Sequence, residues 1–143
     1  MAIKYLDATG LAYFWSKIKD YVDSQSSGAD HVIETGTSGD WTYQKWSTGL
    51  LKAWYSESKS FAATTSSGNG WFRTSGQQII TIPSDLGFTS VTYGSVSITG
   101  IAQAYWFASV TTFSTSQLLY YAVHLGSTTQ TGYARAEVVG RWK

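Results

Sequence analysis

Few side chains in this 143-residue sequence can do chemistry, and their spacing limits what they can be. A hydrolase built on paired carboxylates needs two acids facing each other in a cleft. Seven of the nine acids lie in the first 60 residues, and only Asp85 and Glu137 lie beyond. Asp40 and Glu57 form another conceivable pair, but nothing in the sequence brings them together. A Ser-His-Asp relay needs a histidine. His31 and His124 are present, and no serine sits in a G-x-S-x-G elbow. His124 lies in the apolar run LLYYAVHL and reads as a hydrogen-bonded strand residue. The stretch from Asp30 to Glu34, with His31, has a weak metal-like spacing. Metal sites usually gather three or four ligands, which here would require symmetry copies of His31 on an axis. There is no cysteine, so disulfides and thiolate metal sites are ruled out. The glycine-rich stretches lack the Gly-Lys-Ser/Thr of a phosphate loop. No catalytic residue, metal site or cofactor is expected.

The remaining chemical signal is aromatic: 23 residues are Trp, Tyr or Phe. Such rings bind the C–H faces of sugars and dominate the hot spots of protein interfaces. Tyr105-Trp106-Phe107 and Tyr120-Tyr121 place neighbouring rings on opposite faces of a strand, so one ring of each pair can face solvent. These five are the candidate ligand-binding residues; an oligomer contact or a second sheet is the competing use. Trp41, Trp46, Trp54 and Trp142 are assigned to the core.

Composition narrows the partners. The formal net charge is +1 and only 13% of residues are charged, with no basic stripe, so nucleic acid is not expected. No apolar run approaches the ~20 residues of a membrane span. The N-terminus shows no basic and apolar signal segment, so secretion by signal peptide is not expected. Residues 1–60 hold six Lys and seven acids, whereas the following 83 residues hold six charges in all. With 20 Ser and 18 Thr, that second region keeps its surface polar through hydroxyls, and the mixture suits half-buried strands.

The elements that must position these residues follow from periodicity. Leu6 to Val22 is the one helical stretch. Leu11, Trp15, Ile18 and Val22 recur at four, three and four, which places them on one stripe, and Asp7 or Thr9 can cap the start. A helix of about 16 residues is marginal alone in water. The stripe therefore either lies on the chain's own β-domain or forms a short coiled coil, with 15 and 22 as one core position and 11 and 18 as the other. From His31 onward the pattern alternates. Strands are expected at His31–Glu34, Trp41–Trp46, Leu50–Ser56, Phe61–Thr65, Trp71–Thr74, Gln78–Ile82, Phe88–Thr99, Ile101–Thr112, Leu118–Leu125 and Tyr133–Trp142. Phe61–Thr65 is the weakest of these, and about nine strands are expected. Turns fall at Thr35–Asp40, Asn69-Gly70 and Gly126–Gly132, and Gly94 suggests a bulge. The expected fold is mainly β: an antiparallel, jelly-roll-like β-sandwich head over residues 31–143, preceded by an N-terminal helix and linker over 1–30 that serve oligomerisation.

Three segments resemble a known family: LDATGLAYFWSKIKDYV, VIETGTSGDWTYQKWSTGLLKAW and the terminal VVGRWK, covering about residues 6–22, 32–54 and 135–143. Their core is W-x-Y-x-K-W-x-x-G: Trp41, Tyr43, Lys45, Trp46 and Gly49. They resemble segments of tail-fibre and baseplate-associated structural proteins of bacteriophages and prophages of Gram-positive, often gut, bacteria. Lys52 departs from the acidic residue often found there, and residues 57–134 carry no resemblance. The resemblance implies a helical stem and a β-rich head assembled as a homotrimer in the virion tail. It also implies contacts with other tail proteins and attachment to a host-surface saccharide or protein. The expected function is non-catalytic host attachment. The alternatives are a purely structural virion component and, from another class, a small polysaccharide-degrading enzyme.

Overall fold

A computed structural model describes residues 8–26, 30–99 and 106–143. The chain divides into two compact units, Met1–His31 and Val32–Lys143. In the first, helix α1 spans Ala8–Ser26. It runs past Val22 because Ser24, Gln25 and Ser26 contain no breaker and the first glycine beyond is Gly28. Asp7, one of the two expected caps, lies outside the described residues. Among the described residues no helix is long and apolar enough to cross a membrane.

The second unit is mainly β, with nine antiparallel strands among its described residues in one continuous, sandwich-like sheet. They are β1 Val32–Ser38, β2 Trp41–Trp46, β3 Leu50–Gly68, β4 Trp71–Thr74, β5 Gln78–Thr81, β6 Ser90–Thr99, β7 Trp106–Phe113, β8 Gln117–Leu125 and β9 Thr128–Arg141. Leu50–Ser56 and Phe61–Thr65, expected as two strands, form a single 19-residue strand, because β9 pairs with it without interruption from Leu50↔Arg141 to Ala63↔Thr128. On its other edge β3 carries two partners in succession. Its first half pairs with β2 and, through it, β1. Its second half passes through register shifts at Ala63/Thr65 and Ser66/Gly68 and pairs with β4. Bulges bend a strand and increase its twist. Beyond them the sheet continues through β4 to β8, which carries β5 beside β4 on one edge and β7 on the other.

The core lies between β3-β9-β6 and β8-β7. Phe61, Ala134 and Val138 from the first side and Leu118, Tyr120 and Ala122 from the second are fully buried. Gly94 is not the bulge, which falls between Val91 and Tyr93. A Cβ at Gly94 would stand 2.6 Å from Leu118 Cδ2, so β6 approaches β8 too closely for a side chain. Of the four tryptophans assigned to the core only Trp41 is buried. Trp54 faces solvent, because the neighbouring Ala53 faces inward, and Trp46 and Trp142 are half-buried. The β1–β2 turn is also tighter than expected: β1 continues to Ser38, leaving Gly39-Asp40 as the turn.

The W-x-Y-x-K-W-x-x-G residues build the corner where this unit begins and ends. Val32 pairs with Trp46, and Leu50 pairs with Arg141. Tyr43 donates to Glu34 at 2.6 Å, and Lys45 Nζ stands 3.1 Å from the same carboxylate oxygen. Lys45 and Lys143 lie 5.8 and 4.9 Å from the Trp142 ring centre, and Lys52 lies 5.3 Å from that of Trp46. The Trp142 indole N–H donates to the Trp46 carbonyl, and Arg141 donates to the Thr48 carbonyl. The hydrogen bond from Tyr43, then that from Lys45, holds the Glu34 carboxyl below its ordinary range. Glu34 is exposed, so its contribution is small and salt-sensitive.

A lowered folded-state pKa stabilises above the unfolded value and is lost as pH falls through the folded one. Glu34→Gln should therefore be less stable than the parent near pH 7, and the gap should close as pH falls through the lowered folded-state value of Glu34, as read by urea midpoints across pH. A Cβ at Gly140 would stand 2.0 Å from the Ser90 carbonyl oxygen, which the backbone cannot relieve without moving. Gly140→Ala should cost about 1–3 kcal/mol. At Gly76, where a Cβ meets nothing within 4 Å, the same change should stay within about 0.5 kcal/mol in the same measurement.

Candidate functional site

Alternation along β7 and β8 sorts the candidate rings by face. On β8, Leu118, Tyr120, Ala122 and His124 point inward and are buried, whereas Leu119, Tyr121, Val123 and Leu125 point outward. On β7, Trp106 points inward and Phe107 outward, 54% exposed. This corrects two of the expected ligand residues. Trp106 packs in the core, 5.8 Å from Phe61 and 4.9 Å from His124 between ring centres. Tyr120 is fully covered, and burial, with a smaller push from the Glu57 charge, raises its phenol to about 12. Neither can meet a ligand without unpacking the core. Tyr105 lies outside the described residues. Phe107 and Tyr121 remain on the surface.

Two residues that the sequence reading did not single out join them. β4 pairs with β8 so that Trp71 lies opposite Leu125, and Arg73 lies opposite Val123, which in turn lies opposite Phe107. Trp71 meets Phe107 across β8 edge-to-face, with ring centres 5.6 Å apart. The Arg73 guanidinium lies over the Tyr121 ring, its carbon 4.5 Å from the ring centre. The Asn69-Gly70 turn followed by alternating Trp-Phe-Arg-Thr puts Trp71 and Arg73 on one face, which was the available signal. The sequence does not say that this face lies beside Phe107. The patch sits at the far end of β3 from the corner that holds the first and last strands, beside two turns joined by Gly126 N–H donating to the Gly70 carbonyl. In Asn69-Gly70 both residues have positive φ, 51° and 81°, as the tight hairpin requires.

The acids and histidines lie elsewhere. Asp85 accepts from Ser38 at 2.8 Å through each carboxylate oxygen, while Glu137 lies on β9 opposite Trp54. Asp40 and Glu57 do share a neighbourhood: both raise the Tyr55 pKa, although burial is the larger cause. Tyr55 therefore stays protonated and donates to Glu57 at 2.6 Å. His124 is buried with Nδ1 3.0 Å from the Gly126 carbonyl, which fixes Nδ1 as the donor. Among the described residues no three His, Asp or Glu side chains gather as metal ligands.

The oligomerisation candidates are on the surface of this chain. Trp15 is 69% exposed, Leu11 57% and Val22 55%, with Ile18 half-buried. Phe14 and Tyr21, also exposed, widen the apolar stripe to roughly 120° at 100° per residue.

The sequence matches no protein-family model and no curated protein. Its fold is shared with tail fibres. The chain is similar to an N-truncated R1-type pyocin tail fibre, at a TM-score of 0.58 and 13% identity over 85% of this chain and 94% of that one. It is also similar, at the same score and identity, to a C-terminal fragment of the P. aeruginosa R1 pyocin fibre, over 94% of this chain and 31% of that one, so it spans about a third of that fragment.

Proposed function

We propose that this protein is a non-catalytic tail-fibre component of a phage or prophage virion that attaches to the host surface through the far end of its β-domain. The observation that carries the reading is the fold it shares with R1 pyocin tail fibres. In this reading α1 is the seam of a homotrimer. Three copies of the wide Leu11-Trp15-Ile18-Val22 stripe bury one another, gaining ~25 cal/mol per Å² of apolar surface removed from water. The Trp71, Arg73, Phe107 and Tyr121 patch is the receptor surface, and other tail proteins hold the opposite end. A second reading, a structural segment touching only virion proteins, draws support from aliphatic Ile79 and Leu125, which are also exposed on this sheet face.

Sedimentation equilibrium should give a species about three times 15.7 kDa. Trp15→Asp should shift it toward monomer, because the seam would bury an unpaired charge, while leaving the thermal melt of the β-domain in place. A wild-type monomer at micromolar concentration rejects the trimer. Phe107→Ser should weaken binding of the labelled protein to bacterial cells by about tenfold or more, the size of a lost hot-spot ring. Unchanged cell binding, with binding to tail proteins lost instead, favours the second reading.

A further inference from the structure

We propose that the outer face of β4, β8 and β7 takes an acidic saccharide, its carboxylate or phosphate held by Arg73 and its sugar rings seated on Trp71, Phe107 and Tyr121. This rests on the receptor-binding reading and adds the charge class of the ligand. Little charge is available along this part of the chain. From Phe61 to Ala134 the only formally charged residues are Arg73 and Asp85. Asp85 is engaged by Ser38, on the strand that leads into the Gly39-Asp40 turn. The Lys45–Glu34 ion pair lies at the corner, at the other end of β3. Arg73 is therefore a lone cation on an apolar sheet face, with no carboxylate beside it.

The contact of Arg73 with Tyr121 also matters. The guanidinium carbon lies over the ring, 4.5 Å from its centre, and this contact restrains the side chain before ligand arrives, so less freedom is lost on binding. Its N–H groups can pair with the two oxygens of a carboxylate or phosphate. An occupant that covered this face without bringing an anion would bury an unpaired charge, which is costly. The surrounding rings select what carries the anion. Trp71 and Phe107 come from strands either side of β8 and meet across it with ring centres 5.6 Å apart, so the two form one contiguous aromatic surface. Ring faces flanking a bidentate cation suit the C–H face of a sugar bearing an acid group.

The test is a bacterial surface-glycan array probed with the full-length chain, containing uronic-acid polysaccharides, phosphate-bearing glycans and neutral polysaccharides. Arg73→Gln and Phe107→Ser are compared with Arg135→Gln, a cation exposed on β9, after thermal melts show that all three fold. The expected result is binding to acidic members that falls ~10- to 100-fold in Arg73→Gln, falls in Phe107→Ser, and persists in Arg135→Gln. Loss of uronate binding alone, or of phosphate-glycan binding alone, identifies which acid Arg73 holds. Equal losses in Arg73→Gln and Arg135→Gln indicate diffuse charge attraction and overturn the proposal. Binding to neutral members that Arg73→Gln leaves unchanged overturns the acidic ligand but leaves receptor attachment standing. No binding to any glycan, with binding to bacterial cells intact, overturns the saccharide ligand alone, and loss of binding to cells as well overturns receptor attachment.

Discussion

The β3–β9 ladder is the interaction on which the rest of the β-domain depends. Fourteen consecutive pairs, Leu50↔Arg141 to Ala63↔Thr128, hold these strands in one register. Because side chains alternate with period two, this register sets the inward set of both strands together. Where β3 turns Tyr55, Glu57 and Lys59 inward, β9 places Ala136, Ala134 and Gly132 opposite them. Large residues against small ones let the layer fill without strain. Tyr55 packs against Trp41 at 5.1 Å between ring centres, and Ile98 of β6 lies opposite Ala134.

This ladder also explains why one strand serves two neighbourhoods. The first half of β3 supports β2 and β1, and with them the corner built from Glu34, Tyr43, Lys45 and Trp142. The second half, bent by its irregular register, leads into β4 and β8 and presents Trp71 and Arg73. Two of the segments that resemble phage structural proteins, about residues 32–54 and 135–143, converge on the corner and the first half of the ladder. Residues 57–134, which carry no resemblance, supply the aromatic face at the other end. A scaffold with fixed packing demands at one end leaves the outward residues of β4, β7 and β8 free to vary, because they touch no core neighbour.

Helix α1 raises a separate question of solvation. Its apolar residues cover a third of the circumference, and Trp15, Leu11 and Val22 remain exposed on the chain by itself. A 19-residue helix with such a face is not stable in water without cover. Asp20 lies on the face opposite the stripe, whereas Lys19 lies at its edge beside Trp15.

Much of the fold was legible in the residues themselves. Trp41–Trp46 and Trp71–Thr74 have the predicted bounds, Asn69-Gly70 makes the predicted turn, and the class is mainly β with a single helix, because these features depend on local alternation and turn chemistry. The sequence could also say that neighbours such as Trp106 and Phe107, or Tyr120 and Tyr121, face opposite ways. Only the tertiary structure decided which of each pair is inside, since alternation fixes relative orientation and the packing of a second layer fixes the absolute one. The same limit hid the join of Leu50–Ser56 to Phe61–Thr65, which needed β9 as a template, and the meeting of Arg73 with Tyr121, which are 48 positions apart and brought together by strand pairing that no local pattern records.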